Sequence, residues 1–236
     1  MDVAVIIVEP KYAGNVGAIA RLMKNFGFSQ LWLISPKFSL DDEDCIKYAM
    51  HAYDIIEKAE IFDSFDEVVE KVDFMAGTSS IESRDDGRHL RKTMDVREFG
   101  NEVRKMKGKI GIAFGREDYG LLNEEIKKCD VLIKIPTKDE YAAMNLSHAV
   151  AIVLYEMAYS KPKPYRELAD GKEKEKLHEF IAILLDSIDY PEYKKEKAKI
   201  LIRRIIGRAM ISKWEFHTLM GIIRKTIEKC KSDCFK

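Results

Sequence analysis

Residues 109–121 read KIGIAFGREDYGL, in which a nearly continuous apolar run, Lys109–Phe114, leads directly into a polar loop bounded by Gly115 and Gly120. An apolar run without polar alternation is typical of a strand in a parallel sheet that is covered on both faces. Ligands bind such sheets outside the carboxyl ends of the strands, where this loop falls. The stretch therefore predicts an α/β fold with a ligand site after this strand. A purely structural turn with a solvated Arg-Glu-Asp triplet is an open alternative.

Four other short runs have the same apolar character, and helical patterns separate them. These predicted strands are Val3–Val8, Leu31–Ile34, Phe74–Gly77 and Val131–Ile135. The alternation of strands and helices predicts a parallel α/β domain with right-handed crossovers.

The sequence Lys-Pro-Lys-Pro at residues 161–164 ends this pattern, because proline disfavours a helical conformation in the residue before it. Beyond it, apolar residues recur only at helical spacing, which predicts three amphipathic helices packed as a small bundle. The last of these helices has Leu219, Ile222, Ile223 and Ile227 as its predicted apolar face. We therefore divide the chain into an α/β domain at residues 1–160, a linker at 161–170 and a helical C-terminal domain at 171–236.

The 236-residue chain has zero formal net charge, but its charges are unevenly distributed. Residues 1–160 carry 21 Lys and Arg against 28 Asp and Glu, whereas residues 161–236 carry 19 against 12. A basic segment joined to an acidic one can bind a polyanion such as nucleic acid. A solvated helical surface rich in i,i+4 ion pairs explains the same charges, and the composition does not separate the two interpretations.

Composition excludes several classes of protein. The chain is 46% hydrophobic, which is enough for a sizeable core, yet no apolar run approaches the roughly 18 residues of a membrane span. The N-terminal region lacks the pattern of a secretory signal, so we expect a cytoplasmic protein. Four cysteines are too few for a disulfide scaffold, and we expect no metal site. For Cys230 and Cys234, an incidental pair and a disulfide or metal contact are both open.

A second cluster, Gly14-Asn15-Val16-Gly17 with Arg21, follows the first strand. Glycines at a strand-to-helix turn let the backbone approach a ligand, and a helix N-terminus offers free N–H groups. The third glycine of a dinucleotide-binding motif is missing, which argues against a dehydrogenase. The loop at Gly115 is likewise no P-loop, because Leu121 stands where that motif has lysine. Alternatively, Asn15 caps the helix and Arg21 extends into solvent.

A third cluster begins at Ile135-Pro136 and continues into YAAMNLSHAV at residues 141–150. Asn145 is well placed as the N-cap of a helix, and the preceding alanines leave room for another backbone or a flat ligand. His148 lies off the apolar face of that helix, so we interpret it as a surface residue rather than a metal ligand.

In this order, the motifs N-x-G-x-x-x-R, F-G-R-E-x-x-G-L and I-P with a later x-x-N-L resemble those of the SpoU-type RNA ribose 2′-O-methyltransferases of the SPOUT superfamily. The resemblance covers about residues 3–160. Leu31-Trp-Leu, Gly77-Thr-Ser-Ser and the basic helical tail make the chain most similar to the TrmJ-type tRNA methyltransferases, archaeal members included. The resemblance implies a parallel sheet with a C-terminal trefoil knot, S-adenosylmethionine as cofactor, tRNA as substrate, and a homodimer with the active site across the interface. General topology rules alone would not predict a knot.

The resemblance also implies roles for individual residues. Asn15, Arg21, Glu117 and Asn145 match the polar motif positions and are the expected catalytic residues. Many family members carry serine where this chain has Ala143, so a role for that hydroxyl does not carry over, and Tyr141 is a candidate replacement. The expected cofactor-binding residues are Thr78, Ser79, Ser80, Gly115, Ile135, Ala142, Ala143, Met144 and Leu146.

A guanidinium stays protonated, so we expect Arg21 to position the substrate and to act electrostatically. Glu117 is expected to hold Arg21 or Asn15, with a direct role as base as the alternative. By resemblance the target is the pyrimidine ribose at tRNA position 32; another RNA target, or a non-catalytic RNA-binding protein on the same scaffold, is the alternative. Deleting residues 161–236 is expected to weaken tRNA binding and to leave cofactor binding intact. The expected RNA contacts are Arg84, Arg88, Arg91, Lys92, Arg203 and Arg204.

Overall fold

A computed structural model describes residues 2–81, 90, 92–159 and 167–233. Its centre is a seven-stranded sheet in the order β3-β2-β1-β6-β4-β7-β5, in which every neighbouring pair is parallel. The strands are β1 (Asp2–Val8), β2 (Gln30–Ile34), β3 (Glu60–Phe62), β4 (Phe74–Thr78), β5 (Thr93–Asp95), β6 (Lys109–Phe114) and β7 (Val131–Lys134).

Helices connect the strands, as parallel pairing requires. They are α1 (Ala13–Phe26), α2 (Glu43–Ala49), α3 (Tyr53–Glu57), α4 (Phe65–Val69), α5 (Val96–Val103), α6 (Asn123–Lys128) and α7 (Leu146–Tyr159). Three longer helices follow: α8 (Gly171–Ser187), α9 (Glu192–Ala209) and α10 (Lys213–Asp233). None of the helices described combines the length and the apolarity needed to cross a bilayer.

The predicted α/β class and all five predicted strands are confirmed, with small changes at the strand ends; the last strand stops at Lys134 rather than Ile135. The sequence analysis missed β3 and β5, which have three residues each and lie at the two edges of the sheet. Segments this short are below the length at which apolar periodicity identifies a strand.

The central strands are buried on both faces, which explains their continuous apolar sequences. On one face the sheet packs against α1, α5 and α7, through residues such as Ile19, Phe99 and Val153. On the other it packs against α4 and α6, through Val68 and Ile126. Both faces are therefore covered, and the carboxyl ends of the strands are left at one edge for a ligand site.

Helices α8–α10 enclose a third apolar cluster that includes Leu177, Ile181 and Phe216. In α10 the predicted face is partly wrong. Ile222 is exposed, and Met220 is buried instead. The short apolar repeat in this helix fits two neighbouring faces, and packing against α8 selects one of them.

The proposed linker at 161–170 lies partly outside the described residues. Within it, Leu168 and Ala169 are buried, and the Ala169 N–H donates to the Ile211 carbonyl at 2.9 Å. Ala169 therefore packs with the C-terminal helices, whereas Leu168 belongs to the apolar cluster of the sheet domain.

Candidate active site

A cavity of about 440 Å³ opens where the carboxyl ends of β4, β6 and β7 meet. Three segments that lie far apart in the sequence line it: the residues after β4, the Gly115–Leu121 loop, and the segment between β7 and α7. All nine residues expected to bind the cofactor line it, namely Thr78, Ser79, Ser80, Gly115, Ile135, Ala142, Ala143, Met144 and Leu146.

The loop after β6 folds back on itself so closely that only glycine fits at its start. A Cβ atom on Gly115 would lie 2.1 Å from the Gly120 carbonyl carbon and 2.2 Å from the Leu121 nitrogen. The Arg116 N–H donates to the Gly120 carbonyl at 3.2 Å, and the Gly120 N–H donates back at 2.9 Å. Gly120 itself has φ +73°, which favours glycine. The loop is thus a tight turn that forms one wall of the cavity.

Arg116 anchors this loop in a buried ionic cluster. Its guanidinium donates two hydrogen bonds of 3.0 Å to the Glu125 carboxylate and also pairs with Glu9. Burial alone would lower the pKa of Arg116, but the hydrogen bonds to Glu9 and Glu125 outweigh it and raise the pKa. The bond from Arg116 in turn lowers the pKa of Glu9, which has a φ of +44°. The positive charge of Arg116 is therefore neutralised by the protein itself.

The sequence analysis missed Glu9 and Glu125. Neither has a distinctive spacing, and Glu9 meets Arg116 only because β1 and β6 are neighbours. The uncommon positive φ of Glu9 becomes visible only in the folded chain.

Three of the four expected catalytic residues form one chain of hydrogen bonds. The Asn15 amide donates to Glu117 Oε1 at 3.1 Å, and the Asn145 amide donates to Asn15 Oδ1 at 3.2 Å. Glu117 Oε2 accepts the Lys11 backbone N–H at 3.2 Å. Asn145 caps α7 as predicted, since its Oδ1 accepts the Ser147 N–H at 2.9 Å. Asn15 is no helix cap, because α1 already begins at Ala13.

Arg21 is the exception among the four. It lies on α1 almost two turns beyond Asn15, its side chain is exposed, and it is not among the residues that line the cavity. Tyr141, the candidate replacement for the missing serine hydroxyl, is 86% exposed and does not line the cavity either. The geometry of a single chain therefore brings together Asn15, Glu117 and Asn145 without Arg21.

A second cavity of about 540 Å³ adjoins the same hydrogen-bonded chain. Asn15 and Asn145 lie on its wall together with the aromatic residues Tyr12, Phe38 and Tyr48. His148 also lines it and is exposed, in agreement with its interpretation as a surface residue. The polar chain thus stands between two open spaces.

The six expected RNA contacts have different outcomes. Arg84, Arg88 and Arg91 lie outside the described residues, and Lys92 is half-buried. Arg203 forms a paired contact with Glu175, at 2.8 and 2.9 Å.

The expectation for Arg204 is wrong. Its side chain is 2% exposed and donates to backbone carbonyls inside the protein, so it cannot contact RNA in this fold. Helical spacing placed it next to exposed cations, but here α9 packs directly on the sheet domain, and this contact buries Arg204.

Two buried cysteines, Cys45 and Cys129, lie in the described part of the chain. Burial raises the pKa of the Cys45 thiol to about 11 and that of Cys129 to about 12, so both are protonated at neutral pH. Within the ranges described, no group of three or more His, Cys, Asp or Glu side chains is arranged to hold a metal ion.

Comparison with known proteins agrees with this geometry. The family model described as the SpoU rRNA Methylase family matches residues 2–155. The chain is 40% identical over 229 residues to tRNA (cytidine-2′-O-)-methyltransferase TrmJ of Methanocaldococcus jannaschii, covering 94% of this chain and 98% of that protein. It is 34% identical over 226 residues to the protein of the same name from Sulfolobus acidocaldarius, covering 95% and 93%. The crystal structure of TrmJ from Z. mobilis ZM4 has the same fold, with a TM-score of 0.72 at 24% identity, covering 95% of this chain and 99% of that one.

Proposed function

The chain belongs to the SpoU methylase family, and from this membership we propose that it is an S-adenosylmethionine-dependent tRNA ribose 2′-O-methyltransferase. One observation carries the proposal: three motif segments separated by up to 130 residues meet in a single chain of hydrogen bonds, and two of these segments also line the cavity. If the Gly115 loop were only a structural turn, or Asn15 only a helix cap, the three motif segments would have no reason to meet.

The cavity suits S-adenosylmethionine in size and in charge. Its volume of about 440 Å³ lies within the range of small-molecule sites. Ile135 and Leu146 offer apolar contacts, and the carboxylate of Glu117 favours a cationic ligand. The neighbouring carboxylate of Asp118 is paired with Lys11 at 3.2 Å. Arg116 does not oppose this preference, because Glu9 and Glu125 neutralise it.

We also propose the trefoil knot that the family resemblance implies. The loops after β6 and β7, which would form it, both line the cavity, together with the residues after β4. The cofactor would then lie against the knotted segments.

When bound, S-adenosylmethionine supplies a methyl group that its sulfonium already activates. The protein has to hold a ribose hydroxyl in line with that methyl group, and the hydroxyl proton leaves to a substrate phosphate or to water as the new O–C bond forms. Glu117 is suited to positioning rather than to proton removal, because its two oxygens already accept Asn15 and the Lys11 N–H. Asn15 and Asn145 are thereby fixed on the wall of the adjoining cavity. Arg21 orients the ribose or its phosphate and stabilises the developing oxyanion.

Arg21 reaches the cavity of a second copy in this proposal. It lies on α1, which packs against α7. Phe26 at the end of α1 forms an aromatic cluster with Tyr155 and Tyr159 of α7, with ring centroids 5.0–6.5 Å apart. Tyr155 and Tyr159 are exposed, and large exposed apolar patches mark interaction surfaces. A homodimer that buries this surface would bring Arg21 of one protomer to the cavity of its partner.

Mixing two inactive variants tests this arrangement. Arg21→Ala protomers combined with Gly115→Ala protomers should regain part of the activity, because one of the two sites in each heterodimer is then complete. Absence of complementation in verified heterodimers would place Arg21 in the site of its own chain.

The proposed target is the cytidine at position 32 of the tRNA anticodon loop. Both archaeal relatives are named for cytidine, which supports cytidine over uridine. The C-terminal part carries 19 Lys and Arg against 12 Asp and Glu, and such a basic surface favours the tRNA backbone.

Mass spectrometry of tRNA tests the function directly. Transcripts with C32 or U32 are incubated with the protein and S-adenosylmethionine, and the methylated ribose is mapped. We expect methylation at C32 and none with Arg21→Ala. Methylation at another position would change the proposed target. If calorimetry detects no binding at millimolar S-adenosylmethionine, the protein is not this enzyme and the non-catalytic alternative holds.

A further inference from the structure

We propose that Arg204 of α9 is a positioning residue for the cofactor cavity, which it supports from the far side of the sheet domain. The proposal rests on the proposed function, since it concerns binding of S-adenosylmethionine. It assigns the C-terminal helices a second task besides contact with tRNA.

Arg204 is bonded entirely to backbone carbonyls. Its guanidinium donates to Ile126 at 2.8 Å, to Cys129 at 2.9 Å and to Leu90 at 3.0 Å. Burial of a charged group is costly unless hydrogen bonds compensate it, and here three carbonyls do so. Burial also lowers the pKa of Arg204. None of these three acceptors is a carboxylate. We infer that the fold requires the three hydrogen bonds themselves, rather than an ion pair.

The approach of α9 to the sheet domain is equally close. A Cβ atom on Gly207 would lie 1.9 Å from the Asp130 carbonyl oxygen, so only glycine permits this contact. Nearby, Lys174 of α8 donates to Asp130 Oδ2 at 2.9 Å, and the same oxygen accepts the Met75 N–H at 2.8 Å. Helices α8 and α9 thus both contact the segment that connects α6 with β7.

One route from Arg204 to the cavity runs through α6. Ile126 lies in the last turn of this helix and Cys129 is its C-cap, whose N–H donates to the Ile126 carbonyl at 3.2 Å. Carbonyls at the end of a helix can accept further bonds because they lack the usual partner four residues on. Glu125, one residue before Ile126, accepts the two hydrogen bonds from Arg116 and also accepts the Leu122 N–H at 2.7 Å. A helix of six residues is rigid over this short distance, so fixing its end fixes Glu125 and the cavity loop.

The third acceptor, Leu90, packs against the apolar cluster that includes Ile126 of α6. Arg204 therefore ties both Leu90 and the end of α6 to α9. The expectation that residues 161–236 can be deleted without loss of cofactor binding is replaced by the opposite one.

The test compares Arg204→Met with Arg208→Met in the full-length protein. Arg208 lies one turn further along α9 and is exposed, so it controls for the loss of charge. Calorimetry with S-adenosylmethionine should show about tenfold weaker binding for Arg204→Met, a typical coupling between distant sites, and unchanged binding for Arg208→Met. Arg204→Lys, which keeps the charge but not the three bonds, should fall between them. Hydrogen exchange should become faster at residues 115–126 in Arg204→Met only.

A purely stabilising role predicts something different: a lower melting temperature with the affinity for S-adenosylmethionine unchanged. A folded Arg204→Met with wild-type affinity would overturn the proposal. If that variant does not fold, Arg204→Lys and Glu125→Gln are combined. Their effects on affinity should not add, because both act through α6, and additive effects would count against the proposal. If the wild-type protein fails to bind S-adenosylmethionine, the proposed function fails instead.

Discussion

Replacing Gly115 by alanine should abolish cofactor binding while leaving most of the fold intact. The new Cβ would lie 2.1 Å from a backbone carbon, whereas ordinary contacts begin at 3.4 Å, so the loop must open by about 1.3 Å. Backbone atoms cannot rotate away as a side chain can, and overpacking of this kind costs roughly 1–3 kcal/mol. Opening would also break the two hydrogen bonds between Arg116 and Gly120, worth about 0.5–1.5 kcal/mol each.

The functional loss should exceed the loss of stability. A displacement of about 1 Å in a positioning element reduces turnover by roughly 100-fold. Calorimetry with S-adenosylmethionine and methyl transfer to tRNA measure the effect, and thermal unfolding shows that the variant is folded. Gly120→Ala is the matched control in the same loop: its φ of +73° makes alanine strained, but nothing lies within 4 Å of the added carbon. It should cost about 1–2 kcal/mol of stability and much less affinity. Wild-type affinity in Gly115→Ala would refute the reasoning.

Three further predictions concern other parts of the molecule. Arg21→Ala should lower kcat by about 100- to 1000-fold, as loss of an oxyanion donor does. The affinity for S-adenosylmethionine measured by calorimetry should not change, because the Arg21 side chain is exposed and lies outside the cavity. Weakened cofactor binding would contradict this prediction. Burial, and then the charge of Arg203, lower the pKa of His178 to about 4 from its ordinary 6.5, so the unfolded chain binds a proton between these pH values that the folded protein resists. The free energy of unfolding should therefore fall by about 2 kcal/mol between pH 7 and pH 5 in urea titrations, and His178→Gln should lose that part of the slope; an unchanged slope would show that other groups cause it. Gly221→Ala on α10 has open space around the added carbon and should stabilise the helix by about 0.5–1 kcal/mol, seen as a higher Tm with unchanged methyl transfer; destabilisation would mean that Gly221 is needed for a contact.

Much of the sheet was predictable because its information is local. The strand at Lys109–Phe114 is apolar at almost every position, and this pattern alone indicates burial on both faces. Asn145 was identified as a cap because its side chain needs only the N–H groups of the next residues. The very short strands β3 and β5 were not predicted, because three residues are too few to show the alternation of a strand.

The sequence by itself therefore determined three features: the order of the motifs, the apolar strands and the basic tail. Each of them depends on residues that lie close together along the chain. The tertiary structure decided which polar groups meet. Arg204 and Arg208 belong to the same helix and are equally charged, yet one is buried against three carbonyls and the other is exposed. The acceptors of Arg204 lie 75 to 114 residues away along the chain. The spacing of residues within α9 therefore cannot predict them. Burial of an ion depends on partners that only the folded chain brings within hydrogen-bonding distance.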